Sequence, residues 1–350
     1  MRHRPDSFGS SAFEVSNVRF SLILPCLSDA KTLRTTLEGI AGQGFDRARF
    51  QVIVVDDRSN PPLENTALEF QGLLDVVYLR NAVNLGRAAT RNKGIALAVG
   101  EILVFMDVDQ RLAPDFLTRL DEAFGSEINQ SIRANTAVWP ELLPKSAFLR
   151  YYDSRFLGNR PAPGDMQAAL QKLPPKYYAT TCIATVRRAV EQVGGFDEGF
   201  SRYGCEDEDL GVRLHEAGIP LQVALRVHSF SIDDTLTVTR ACKRLIDYAG
   251  VSAPLMLRKH PEYRRYMALG VLEGTSQKEA LIRSCLLAIY RPSIARALLS
   301  FLEKRDARRT FRPPAILYKL ALLGFYLQGI RTRATGQRAL SSQPASEGTS

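Results

Sequence analysis

The chain of 350 residues lacks several things that would have set its class at once. Its five cysteines (Cys26, Cys182, Cys205, Cys242 and Cys285) include no Cys-x-x-Cys spacing and are odd in number. That leaves no disulfide framework and points to reduced thiols and a cytosolic setting. No apolar core of signal-peptide length stands near the start, where residues 1–16 read as a loose polar leader. No Gly-rich loop with a basic residue follows the first apolar segment, where Pro25-Cys26-Leu27-Ser28 stands instead; this weighs against a nucleotidyltransferase. No recognised motif or aromatic-basic platform offers a nucleic-acid groove. The longest apolar run, residues 315–330, is broken by Lys319 and Gln328 and falls short of a membrane span.

What is present is an apolar run, Ile102-Leu103-Val104-Phe105-Met106, that ends in Asp107-Val108-Asp109. The run reads as a buried strand, and the two carboxylates emerge from it toward a common site. Carboxylate oxygens suit a hard cation such as Mg²⁺ or Mn²⁺, and the cation in turn suits a diphosphate. Phe20 to Pro25, Gln51 to Val55 and Val76 to Leu79 read as further strands. Residues 29–43 and 87–98 read as helices, the first with Leu33, Leu37 and Ile40 at helical spacing. Strands alternating with helices predict an α/β fold with a mostly parallel sheet. Ligands bind beyond the carboxyl ends of such strands, where Asp56, Asp57, Asp107 and Asp109 all fall. Four acids on one edge call for a compensating cation or donor groups.

These segments resemble the family 2 glycosyltransferases. The resemblance rests on Leu24-Pro25, on Val55-Asp56-Asp57-Arg58-Ser59, on residues 84–94 (Asn-Leu-Gly-Arg-Ala-Ala-Thr-Arg-Asn-Lys-Gly) and on Phe105 to Asp109. It continues through Val193-Gly194-Gly195-Phe196-Asp197-Glu198 and Gly204-Cys205-Glu206-Asp207-Glu208-Asp209-Leu210, with Arg213-Leu214 behind. It covers about residues 18–230 and is nearest the galactosyltransferase and chondroitin-polymerase branch. The resemblance implies a GT-A, Rossmann-like fold: a mostly parallel central sheet flanked by helices, here with a C-terminal helical extension. It also implies site roles. Pro25 and Asp57 would contact the donor, Asp57 at the nucleobase or ribose. Arg91 would approach the diphosphate or only pair with Asp107. Asp107 would meet the ribose, or the metal through water, and Asp109 would bind the metal directly. Asp207 would be the general base and Glu206 would hold the acceptor hydroxyl. His228, in the strand-like Leu225-Arg226-Val227-His228-Ser229, would complete the metal site. Glu208 and Asp209 read as first-turn residues that favour the helix dipole.

The chain departs from the family at Ser28, often Asn, and at Tyr203-Gly204-Cys205, often Trp-Gly-Gly, which leaves donor sugar and acceptor open. Residues 139–181 are the least family-like. Trp139, Tyr151, Tyr152, Arg155, Tyr177 and Tyr178 there are either a sugar-stacking wall or core.

Charge is divided unevenly. Residues 236–340 hold 20 Lys plus Arg against 6 Asp plus Glu, a net of +14, and the rest of the chain nets −5. That basic third reads as helical over 279–289, 293–302 and 315–330; its apolar and basic content suits interfacial helices drawn to anionic lipid, the alternative being an apolar helix packed on the sheet with its basic residues in water. The expected organisation is a leader (1–16), a GT-A domain (17–235), a basic helical region (236–335) and a disordered tail (336–350). The expected protein is an inverting glycosyltransferase, peripheral on the cytosolic face of a membrane. It would use Mn²⁺ or Mg²⁺ and a nucleotide-diphospho-sugar, UDP-linked, to glycosylate a glycan or lipid-linked acceptor. The rival readings are a sugar-phosphate nucleotidyltransferase and a non-catalytic nucleotide-sugar-binding module.

Overall fold

Strand alternation builds the architecture. In a computed structural model that describes residues 17–27, 29–154, 170–306 and 313–341, β1 (Phe20–Cys26) sends Leu22 and Leu24 into the core on one sheet face and Ile23 into the core on the other. The expected leader 1–16, Ser28, Arg155 and residues 342–350 of the expected tail lie outside the described residues. α1 (Ala30–Ala41) starts at Asp29, whose carboxylate accepts from the Thr32 N–H at 2.8 Å. It lays Leu33, Leu37 and Ile40 on the first face. β2 (Phe50–Asp56), α2 (Glu64–Leu68), β3 (Val76–Arg80), α3 (Arg87–Leu97) and β4 (Ile102–Met106) repeat the pattern. β1 pairs in parallel with both β2 and β4, and β2 with β3. The predicted strands and both predicted helices of this half thus form within two residues of their expected bounds.

From β4 the chain passes through Asp107-Val108-Asp109 into β5 (Gln110–Leu112), α4 (Phe116–Phe124), β6 (Ser131–Val138), α5 (Ala147–Asp153), β7 (Leu170–Leu173) and β8 (Cys182–Val186). α6 (Arg187–Gln192), α7 (Glu206–Glu216) and β9 (Leu221–Ser231) complete this part. Among the described residues nine strands form one sheet, ordered β3-β2-β1-β4-β8-β6-β9-β5, with β7 on β9. β8 runs antiparallel to β4 and β6, while β6 and β9 are parallel. β7 pairs with the first half of β9 and β5 with its end, both antiparallel. The sheet is mixed and mostly parallel.

α3 packs on β1 at a site too tight for a side chain. A β-carbon added at Gly94 would sit 2.4 Å from Ile23 Cγ2. Gly94→Ala is expected to cost about 1–3 kcal/mol by overpacking, read from the urea midpoint; an unshifted midpoint would show that the helix can simply lift away.

The C-terminal third folds as α8 (Val238–Asp247), α9 (Ala253–Lys259), α10 (Gln277–Ile289), α11 (Pro292–Asp306) and α12 (Ala315–Ser341). α12 outruns its expected end, so residues 336–341, expected to be disordered, are helical. The reading of 315–330 as an interfacial helix is corrected. Tyr318, Ala321 and Phe325 are buried in a cluster with Phe148 and Leu149 of α5, Cys242 of α8, and Leu299 and Leu302 of α11. Apolar content alone does not say whether its partner is lipid or protein. Here the partner is the body of the molecule. No single described helix is long and apolar enough to cross a membrane; α10 and α11 reach that composition only as a pair bent by 66°.

Candidate active site

The ends of β2 and β4 carry their acids to one edge of the sheet. Asp56 is fully buried and accepts from the Ser59 N–H at 2.6 Å, the Leu63 N–H at 3.3 Å and the Tyr78 hydroxyl at 2.8 Å. Burial pushes its pKa up, but these donors prevail and hold it below the ordinary value. Asp57 accepts from Asn81 Nδ2 at 2.9 Å and from the Leu85 and Gly86 N–H groups at 2.7 and 3.0 Å. A carboxylate offers about four acceptor places, so one is left for a donor group. The side chain mainly fastens the loop that leads into α3.

The Asp107–Asp109 turn is held from three sides. The Thr36 hydroxyl of α1 donates to the Val108 carbonyl. The Asp107 N–H donates to the Thr181 carbonyl at 3.2 Å, and the Ile232 N–H donates to the Asp109 carbonyl at 2.8 Å. Asp107 keeps a partly exposed side chain. Burial, then the Asp107 and Asp233 carboxylates, push Asp109 up to about 7.

α7 opens with Glu206-Asp207-Glu208-Asp209, four acids at the positive end of its dipole. Gly204 before it has φ +92°, and a β-carbon there would come within 2.8 Å of the Tyr248 ring. Cys205, at φ +72°, holds the left-handed region against its β-carbon, a strain of about 1–2 kcal/mol stored beside Glu206. Arg91, 2% exposed, pairs with Asp107 (3.1 Å) and also with Glu206 (3.2 Å). It therefore couples the end of β4 to the start of α7. Asp207 accepts from the Thr180 N–H at 3.3 Å and the Glu208 N–H at 3.0 Å. Burial and then Glu206 raise it to about 6, against the pull of Arg91.

The two acids expected to serve only the helix dipole do more. Burial, then Asp207, push Glu208 up to about 8, and its Oε2 is buried without a hydrogen-bond partner. Asp209 is buried and accepts from Arg213 at 2.7 and 2.9 Å and from His260 Nε2 at 2.9 Å, which ties α7 to the C-terminal third.

Arg91, Asp107, Asp109, Glu206 and Asp207 converge on a cavity of about 560 Å³. Pro25 and Asp57 are not among its lining residues, and neither is His228. The reason is the two-residue period of β9: Val227 and Ser229 are buried and Ser231 lines the cavity, so His228 faces the other way and is exposed. The cavity-facing alternation leads on to Asp233 instead, which lines the cavity and accepts from Arg240 at 2.9 Å. Asp107, Asp109 and Asp233 share this wall with Gln110, whose Oε1 is buried with no hydrogen-bond partner. An all-oxygen set with an orphaned acceptor fits a hard divalent cation such as Mg²⁺ or Mn²⁺.

Sequence reasoning also missed the cavity's basic wall of Arg87, Arg133, Lys176 and Arg244. Burial pushes Arg133 down to about 10. The guanidinium groups of Arg87 and Arg244 each lie 4.8 Å from the Tyr203 ring centroid. Arg87 was within reach of sequence reasoning, since it opens α3 inside the 84–94 motif. Arg244, Tyr248, Tyr263, Tyr266 and Tyr326 line the cavity from the C-terminal third, where no motif flags them. The aromatic stretch divides. Tyr152, Tyr177 and Tyr178 line the cavity, whereas Tyr151 stacks on Tyr318 at 4.6 Å and Trp139 meets Phe230 edge-on at 5.4 Å.

The model of "Glycosyl transferase family 2" matches residues 21–192, and that of the "N-terminal domain of galactosyltransferase" matches 164–235. The chain is similar to the validoxylamine A glucosyltransferase of Streptomyces hygroscopicus subsp. jinggangensis, with 25% identity over 58% of this chain and 53% of that one. It is similar to the chondroitin synthase of Escherichia coli, with 23% identity over 57% of this chain and 32% of that one. The chain spans about half the length, or less, of these curated relatives. Among solved structures it resembles the mannosyltransferase PcManGT from Pyrobaculum calidifontis in complex with GDP-Man and Mn²⁺. The TM-score is 0.57 at 15% identity, over 90% of this chain and 86% of that one. The fold is GT-A.

Proposed function

We propose, for a chain that belongs to glycosyltransferase family 2, that it moves a sugar from a nucleotide-diphospho-sugar, UDP-linked, to an acceptor hydroxyl with inversion at the anomeric carbon. The observation that carries this reading is the Arg91 bridge. Arg91 pairs with both Asp107 and Glu206, and Asp109 and Asp207 line the same cavity, which supports a cation and a base acting on one donor. The nucleotide lies toward β2, where Asp57 keeps one acceptor place. Arg87 and Arg244 approach the diphosphate as cations. Asp109, with Asp107 and Asp233 beside it, would hold a divalent cation, whose charge would neutralise the leaving diphosphate. Asp207 accepts the acceptor's hydroxyl proton as that oxygen bonds to the anomeric carbon and the bond to the diphosphate oxygen breaks on the opposite face. Glu206 and Glu208 would hold acceptor hydroxyls, a role supported by the buried, unpartnered Oε2 of each. Tyr266, half-buried on the cavity wall, offers a face for a glycan acceptor.

The test is to incubate the chain with Mn²⁺ and a panel of sugar nucleotides and acceptors. Released nucleoside diphosphate supports transfer. Released pyrophosphate supports nucleotidyl chemistry, and donor binding without turnover supports a binding module; either overturns the proposal.

Peripheral attachment to an anionic membrane, on its cytosolic face, belongs to the same reading, with a lipid-linked acceptor. It rests on α10 and α11 rather than on α12. Leu281, Cys285 and Ile289 stand at successive helical turns of α10 and are exposed, Leu281 at 65% and Ile289 at 72%. Ile294 and Phe301 of α11 are exposed too, with Lys278, Arg296 and Lys304 as nearby cations in water. The chain is expected to float with phosphatidylglycerol vesicles and not with phosphatidylcholine ones, and Leu281→Glu with Ile289→Glu is expected to abolish flotation. Wild-type protein left at the bottom of the gradient would remove this part of the proposal.

A further inference from the structure

A second group of ligand-bearing side chains lies outside the cavity. Glu216, at the end of α7, meets His260 and Glu262, which follow α9: a ring nitrogen and one oxygen from each carboxylate lie within 4.8 Å of one another. None of the three lines the cavity.

His260 is 8% exposed and is held from behind. Its Nε2 lies 2.9 Å from Oδ1 of Asp209, which is itself buried and fixed by Arg213. Nδ1 is left without a hydrogen-bond partner among the described residues. A carboxylate behind one imidazole nitrogen, with the other free, is the arrangement that orients histidines which bind metals. The Glu216 and Glu262 carboxylates have no ion pair or hydrogen bond among the described residues, although they approach each other closely. Like charges so placed favour a cation between them.

We propose that Glu216, His260 and Glu262 form a divalent-cation site separate from the cavity, of the Zn²⁺ class. One imidazole and two carboxylates suit Zn²⁺ better than Mg²⁺, and three protein ligands leave a position for water. Bonds of about 2.0–2.2 Å require the two exposed glutamates to swing inward, and no described residue pairs with either carboxylate to hold it back. The site fastens the far end of the helix that begins with Glu206 and Asp207 to the segment carrying Tyr263 and Tyr266 of the cavity wall. Its role is structural, and it stands whatever sugar the cavity takes.

The test is Zn²⁺ binding by the full chain carrying Asp109→Asn, which silences the cavity's own cation site. This variant is expected to bind one equivalent of Zn²⁺ by calorimetry and to melt several degrees higher with the metal than without. Adding Glu216→Gln and Glu262→Gln is expected to weaken binding at least about tenfold and erase the thermal gain. Because both side chains are exposed, melting without metal should not change, which separates ligand loss from misfolding. No Zn²⁺ bound by the Asp109→Asn chain, or binding unaltered by the two glutamines, overturns the proposal.

Discussion

Asp207→Asn is expected to lower the transfer rate by about 10²–10⁴, the usual contribution of a positioned base, while donor affinity measured by calorimetry stays unchanged. Asparagine keeps the shape and can still accept the Thr180 N–H, but it cannot take the acceptor's proton. The same residue sets a pH limit. Burial and Glu206 raise it to about 6, so the carboxyl is neutral below that value and unable to accept a proton. The rate should therefore fall as pH drops through about 6 and level off above it. A variant with full turnover would remove Asp207 from the base role.

Arg91→Met is expected to destabilise the fold by about 3–5 kcal/mol, the cost of removing one partner from a buried ion pair. The larger share falls on Glu206, whose side chain is 5% exposed and would lose its ion-pair partner. Asp107, 41% exposed, can recover water. Denaturant midpoints measure the loss, and activity should vanish with it because the two halves of the cavity are no longer tied. A loss under about 1 kcal/mol, within the range of an exposed salt bridge, would mean that Glu206 finds another partner or a proton.

The N-terminal half was legible because its signals are local. β1 through β4 are short apolar runs, and the strand ends that carry Asp56, Asp57, Asp107 and Asp109 follow from them directly. The acids at the start of α7 were legible for the same reason, since Leu210, Leu214 and Gly218 mark that helix in one stretch of chain. His228 shows where this stops. Its neighbourhood reads correctly as a strand, yet being on a strand does not tell which face a residue takes. The pairing of β9 with β5 and β6 turns Ser231 inward and His228 out, and the alternation delivers Asp233 to the site instead.

The sequence by itself determined the α/β order, the acid-bearing strand ends and the family resemblance, because each rests on neighbours in the chain. Only the tertiary structure decided that Arg91 binds two carboxylates 16 and 115 positions away, that Arg244 and Tyr263 complete the cavity, and that α12 packs on protein. Those outcomes depend on which surfaces meet once the sheet has formed. An arginine, a tyrosine or an apolar helix carries no local mark of the partner it will find.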